Sequence, residues 1–236
     1  MNAGFVGRRV ELALLDSVCS KANADNRPAA ALISGVPGSG KSRLLAELRS
    51  RRRATHVLSV VGYESAFQVP LGAAANLLRG LGKVSDAGEM LREFLFSPSP
   101  VDDRSLEPLR LFEAARRALL GLEGSILLFA DDLQWVDDLS LALCSYLVRS
   151  AAEEEIAFAV IAATRPTSRG LAFHDSLIKD LGEDRVAARA VEEQARAAPQ
   201  HHPLLACQVV RHPETWRERE RRPLEVRLGN AMARLE

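Results

Sequence analysis

Apolar positions along this chain follow two rhythms. Short unbroken apolar runs read as buried strands, and stretches with apolar residues three and four apart read as amphipathic helices. The runs fall at residues 29–34, 57–61, 126–131 and 157–163. Between and before them lie the helical stretches. The first carries Val10, Leu12, Leu14, Leu15 and Val18 on its apolar face, with Glu11 and Asp16 outside it. The next carries Leu44, Leu45 and Leu48, and a third, over 71–81, carries Leu77, Leu78 and Leu81. Residues 106–120 and 141–148 complete the set, with a shorter apolar stretch at 91–96 and a Ser/Pro loop at 97–100. Strands alternating with helices predict an α/β fold with a parallel sheet. Beyond Pro166 the pattern weakens. Residues 177–181, 185–198, 204–210 and 224–235 read as helical, broken at 199–203 by Pro199 and Pro203.

Composition narrows the class. Hydrophobic residues make up 47% of 236, enough for a sizeable core. Lys and Arg number 31 and balance 31 Asp and Glu, so net charge demands neither nucleic acid nor an anionic membrane. Aromatics are only 5%, which argues against a stacking platform for single-stranded nucleic acid. Cys19, Cys144 and Cys207 stand apart in apolar contexts and read as reduced core residues of a cytoplasmic protein. No basic and apolar leader opens the chain, and no apolar run approaches the ~20 residues of a membrane span.

Candidate chemistry starts at residues 35–42, which read GVPGSGKS. This is the phosphate-binding P-loop, G-x-x-x-x-G-K-S/T, in the strand, loop, helix context it requires. Gly35, Gly38 and Gly40 let the backbone curl so that several N–H groups face one anion. The helix that follows adds the positive end of its dipole. Lys41 reaches the β- and γ-phosphates, and the Ser42 hydroxyl ligates Mg²⁺. The nucleotide-binding set is then Gly35, Val36, Pro37, Gly38, Ser39, Gly40, Lys41, Ser42 and Arg43.

The strand at 126–131 ends in Asp131 and Asp132. It is expected to lie beside the P-loop strand. Asp131 is then placed to hold Mg²⁺, and Asp132 to orient or deprotonate the attacking water. Asp137 or Asp138 caps the next helix. The strand at 157–163 leads into Thr164 and Arg165, and an arginine at the carboxyl edge of a parallel sheet faces the ligand crevice. Arg165 can therefore read the γ-phosphate. The basic run at 49–53 reads as a helix C-terminus whose cations complement the dipole. His201 and His202 are adjacent, so they do not share a helix face and make poor metal ligands as a pair.

Four stretches in order, FVGR at 5–8, the P-loop, LLFADDLQWVDDLS at 127–140 and ATR at 163–165, together resemble the STAND branch of AAA+-related P-loop ATPases. The likeness is to the ATPase module of large LuxR-type (LAL) transcriptional regulators, which begins F-V-G-R-x-x-E-L, as residues 5–12 do here. It implies a three-layer αβα sandwich over residues 1–170 and a partial helical lid over 171–236. It further implies ATP and Mg²⁺ as ligands, Phe5 and Val6 bordering the adenine, and Arg165 as the nucleotide-sensing arginine. In the lid, His201, His202, Pro203 and Leu204 stand where the family has G-x-P-L, and Pro203 would pack on the adenine. ATP over GTP also follows from the resemblance, and no N-K-x-D guanine-reading segment is present. The family's winged-helix, repeat and DNA-binding regions are not in these residues, so the chain is expected to be a truncated module.

The expected function is Mg·ATP binding with slow hydrolysis used as a conformational switch, with Lys41, Asp132 and Arg165 as the catalytic set. The alternative is a non-catalytic module that binds nucleotide without turning it over. A small-molecule kinase would need acceptor-binding residues that the sequence does not offer. Expected partners are ATP and ADP, further copies of the chain or the regulator's other domains. Neither membrane nor sequence-specific DNA is expected for this chain alone.

Overall fold

A computed structural model describes residues 8–83, 88–89, 91–92 and 107–191. Five strands form one wholly parallel sheet: β1 (Ala29–Ser34), β2 (His56–Val61), β3 (Ile126–Asp131), β4 (Phe158–Thr164) and β5 (Val186–Ala190), in the spatial order β2-β3-β4-β1-β5. The helices are α1 (Arg9–Asp25), α2 (Lys41–Arg51), α3 (Ala75–Leu81), α4 (Glu107–Leu120), α5 (Asp138–Glu153) and α6 (Ser168–Leu181).

The apolar runs become central strands because both faces are covered. Every residue of β1 and β4 is buried. Side chains alternate across the sheet. Ala29, Ala31, Ile33, Leu127, Phe129, Ala159 and Ile161 pack with Leu12, Leu15 and Val18 of α1 and Leu44, Leu45 and Leu48 of α2. Ala30, Leu32, Leu128, Val160 and Ala162 pack with residues of α3 to α6 on the other face, among them Leu77, Leu119, Leu147 and Phe173. The result is the expected three-layer αβα sandwich of P-loop NTPases. Cys19 and Cys144 are free thiols in this core, and burial pushes them up to about 11 and about 12.

Four local expectations change. First, β3 does not lie beside the P-loop strand: β4 pairs with both β1 and β3 and separates them. The strand end that carries Arg165 therefore stands between the P-loop and Asp131. Second, residues 186–190 are strand rather than part of a helix over 185–198, hydrogen-bonded in register from Ala30↔Val186 to Ser34↔Ala190. Alanine and arginine favour helix locally, but the open edge of β1 overrides that preference. The sheet thus extends to Ala190. Third, Glu11 is not on an outer face of α1: it is 2% exposed. Its carboxylate lies 3.4 Å from Arg8 and 3.7 Å from Arg189 of β5, partners that a buried charge requires. Fourth, the helix expected over 71–81 starts only at Ala75: Leu71 is in the left-handed region at φ 61°, outside any right-handed helix, and the Leu71 and Ala73 N–H groups donate to Asp137.

The other helices begin and end as their sequences allow. Asp137 caps α5 by accepting from Ser140 N–H, and Thr167 caps α6 by accepting from Gly170 N–H. Two cations at the end of α2 are held by carboxylates: Arg51 by Glu47 one turn earlier at 2.7 Å, and Arg52 by Asp16 of α1 at 2.6 Å. Among the described residues no helix is long and apolar enough to cross a membrane. Phe5, Val6, Pro203, Cys207, the loop at 97–100 and the helices expected over 204–210 and 224–235 lie outside the described residues.

Candidate active site at the carboxyl edge of the sheet

The three central strands end side by side. Ser34 of β1 pairs with Thr164 of β4, and Asp131 closes β3 on the far side of β4. Residues 35–40 leave β1, and the Gly35 N–H donates back to the Thr164 carbonyl at 3.2 Å. The loop then delivers Lys41 as the first residue of α2. Gly38 and Gly40 take φ of 80° and 87°, where side chains are strained, and a Cβ at either would meet nothing within 4 Å. The loop is therefore open on the side those glycines face.

Lys41 is 7% exposed, and its ammonium donates to the Gly35 and Val36 carbonyls at 2.9 and 3.0 Å. Burial pulls its pKa down, Asp132 and Asp131 pull it up, and Arg165 pulls it down again. Val36, Pro37 and Gly38 are exposed at the loop tip, Ser39 is buried, and Arg43 is exposed on the first turn of α2. The Ser39 carbonyl accepts from Arg8 Nη2 at 2.9 Å, which ties the residue before α1 to the loop.

Across the crevice the Ser42 hydroxyl is hydrogen-bonded to the Asp131 carboxylate. Burial raises the Asp131 pKa, and the neighbouring Asp132 charge adds to the rise, while the Ser42 bond and Lys41 oppose it. A hydroxyl and a carboxylate, both hard oxygen donors, fit a Mg²⁺ held jointly by protein and phosphate oxygens. Asp132 sits just past β3 in the left-handed region, φ 51° and ψ 49°. Its carboxylate accepts from Gln134 Nε2 at 2.7 Å. The Arg165 guanidinium lies 5.9 Å from the Trp135 ring centroid, a cation–π contact. Trp135 meets Phe67 edge to face at 6.2 Å, and the Arg169 guanidinium caps Phe67 at 4.8 Å.

Lys41, Ser42, Asp131, Asp132 and Arg165 are thus gathered at one strand edge. Sequence reasoning missed three supports of that edge. Arg8 grips the loop backbone through Ser39. Gln134 joins Asp132 to β4. Gly62, at the end of β2, lets residues 132–136 pass so closely that a Cβ there would stand 2.4 Å from the Asp132 carbonyl oxygen and 2.7 Å from the Trp135 carbonyl carbon. Of the three, Arg8 and Gln134 lie within stretches that carry the resemblance, and Gly62 does not.

No curated protein matches the chain. Among solved structures, Cdc6p from Pyrobaculum aerophilum is similar at 18% identity and a TM-score of 0.49, covering 79% of this chain and 46% of that one. The Aeropyrum pernix Orc1 protein, solved in complex with DNA, is similar at 18% identity and a TM-score of 0.45, covering 84% of this chain and 47% of that one. A Pyrococcus horikoshii STAND protein with a tetratricopeptide repeat sensor is similar at 16% identity and a TM-score of 0.42, covering 80% and 23%. The chain spans about half or less of the length of these proteins. The family model described as AAA ATPase domain matches residues 4–161, which hold the P-loop and both carboxylates, and the chain belongs to that family.

Proposed function

We propose that the chain binds Mg·ATP at the carboxyl edge of its sheet, hydrolyses it slowly and uses the nucleotide state as a conformational switch. The observation that carries this reading is the convergence of Lys41, Ser42, Asp131, Asp132 and Arg165 around the open face of the loop. In it, loop N–H groups such as those of Gly38 and Gly40, with the start of α2, cradle phosphate oxygens. Lys41 leaves the Gly35 and Val36 carbonyls for the β- and γ-phosphates. Ser42 and Asp131 would hold Mg²⁺, which would supply positive charge against the charge developing on the phosphates. Asp132 orients the attacking water, and Arg165 moves off Trp135 to read the γ-phosphate. The resemblance assigns Phe5, Val6 and Pro203 to the adenine.

The wider context is inferred from the resemblance to LAL regulators. The chain is read as the ATPase module of a cytoplasmic LuxR-type transcriptional regulator, whose other domains, or further copies of the chain, are its partners. By itself it reads no DNA sequence, since specific readout needs side chains on base edges. Any duplex binding is expected to vanish in a gel shift with random competitor at physiological salt. The core of the reading is tested by phosphate release from Mg·ATP without added acceptor. Slow multiple turnover supports a hydrolase. Tight nucleotide binding with no release would favour the non-catalytic module.

A further inference from the structure

Between Asp132 and Arg165 lies a buried amide. Gln134 is 9% exposed and sits in the Leu133–Trp135 turn that follows β3. Its Nε2 donates to Asp132 Oδ1 at 2.7 Å. Its Oε1 accepts from the Arg165 N–H at 2.9 Å and from the Thr164 hydroxyl at 3.4 Å. The amide can be oriented in only one way. The Arg165 N–H can only donate, so Oε1 must face it, and a carboxylate can only accept, so Nε2 must face Asp132. The donor to Asp132 is therefore set by the backbone of β4.

The turn that carries this amide is itself constrained. Asp132 is in the left-handed region, and the Trp135 N–H donates to the Asp132 carbonyl at 2.8 Å. Trp135 places its ring against the Arg165 guanidinium, so the same turn holds Arg165 by its backbone and by its side chain.

We propose that Gln134 is a positioning residue: its amide fixes the Asp132 carboxylate against the strand end that bears Arg165, and so couples water orientation to nucleotide sensing. The proposal rests on the role given to Asp132 above. Gln134→Glu keeps the length and the acceptor for Arg165 N–H but sets a carboxylate against Asp132. Gln134→Leu removes both bonds. Misplacing a catalytic group by an ångström costs up to about a hundredfold.

The experiment measures kcat and KM for phosphate release, and Mg·ATP affinity by calorimetry, for both variants alone and combined with Asp132→Asn. Thermal unfolding checks that each is folded, and if Gln134→Leu is not, Gln134→Glu carries the test. The expected result is a fall in kcat of about 10–100-fold, little change in KM or affinity, and no further fall in the Asp132→Asn background. An unchanged or raised kcat in Gln134→Glu would overturn the proposal. So would a matching loss of Mg·ATP affinity, which would mark a structural role, or an equal loss in the Asp132→Asn background. If the wild type binds Mg·ATP and releases no phosphate, the hydrolytic reading falls and this proposal with it. Wild-type turnover with indifferent Gln134 variants overturns this proposal alone.

Discussion

The Asp137 carboxylate accepts a hydrogen bond from the Leu71 backbone N–H at 2.9 Å, across 66 positions of sequence. The same carboxylate accepts from Ala73 N–H, Ser140 N–H and the Ser140 hydroxyl. It therefore starts α5 and anchors the segment before α3 in one step. Burial works to raise its pKa, but the bonds from Ser140, Leu71 and Ala73 outweigh burial and hold it below the ordinary carboxylate range. Asp137→Ala would lose the cap and leave buried donors unpaired, a cost of about 2–4 kcal/mol. Asp137→Asn should cost less. Urea unfolding at neutral pH measures both, and a loss below about 0.5 kcal/mol in the alanine variant would contradict the assignment.

Stability should also fall on mild acidification, through His174. This imidazole is 8% exposed on α6, and burial lowers its pKa below the ordinary 6.5 despite the opposing charge of Asp175. The unfolded chain binds a proton near 6.5 while the folded chain does not. Folding is therefore unaffected by this group above that value. Stability declines as pH drops below it, until the depressed folded value is passed. Chemical unfolding at about pH 7.5 and about pH 5.5 should show a drop that is smaller in His174→Gln. Equal drops in both proteins would remove His174 as the cause.

The two carboxylates at the end of β3 should separate in function. Asp132→Asn is expected to cut phosphate release by about 10²–10⁴ while Mg·ATP binding survives. Asp131→Asn should weaken binding as well and change its dependence on Mg²⁺ concentration, because its partner Ser42 is the other oxygen donor. If Asp132→Asn turns over like the wild type, Asp132 is not the base, and Asp137 is a poor substitute because its carboxylate is already bonded to Ser140, Leu71 and Ala73.

How much of this was legible depended on what each residue answers to. β1, β3 and β4 could be read from their apolar runs, because a strand covered on both faces needs no polar side. Their order could not, since runs alike in composition do not say which neighbours which, and β4 rather than β3 pairs with β1. β5 was hidden because Ala187, Ala188, Arg189 and Ala190 favour helix and only the edge of β1 makes them strand. The motifs located Lys41, Ser42, Asp131 and Asp132, whose chemistry is local to loop and strand end. Glu11, Gln134 and Gly62 answer to partners far along the chain, Arg189, Arg165 and residues 132–136. Spacing along a sequence carries no trace of such contacts.

The central claim is that residues 35–42 bind the phosphates of Mg·ATP. Calorimetric titration of Mg·ATP into the wild type and Lys41→Ala tests it most directly. Lys41 stands within hydrogen-bonding reach of the loop carbonyls, 2.9 Å from the Gly35 oxygen, and would trade them for phosphate oxygens. Charge-assisted contacts of that kind are worth roughly 1.5–3 kcal/mol. The account predicts saturable binding by the wild type and an affinity about ten- to a hundredfold weaker in Lys41→Ala. Equal affinity in the two proteins would contradict it.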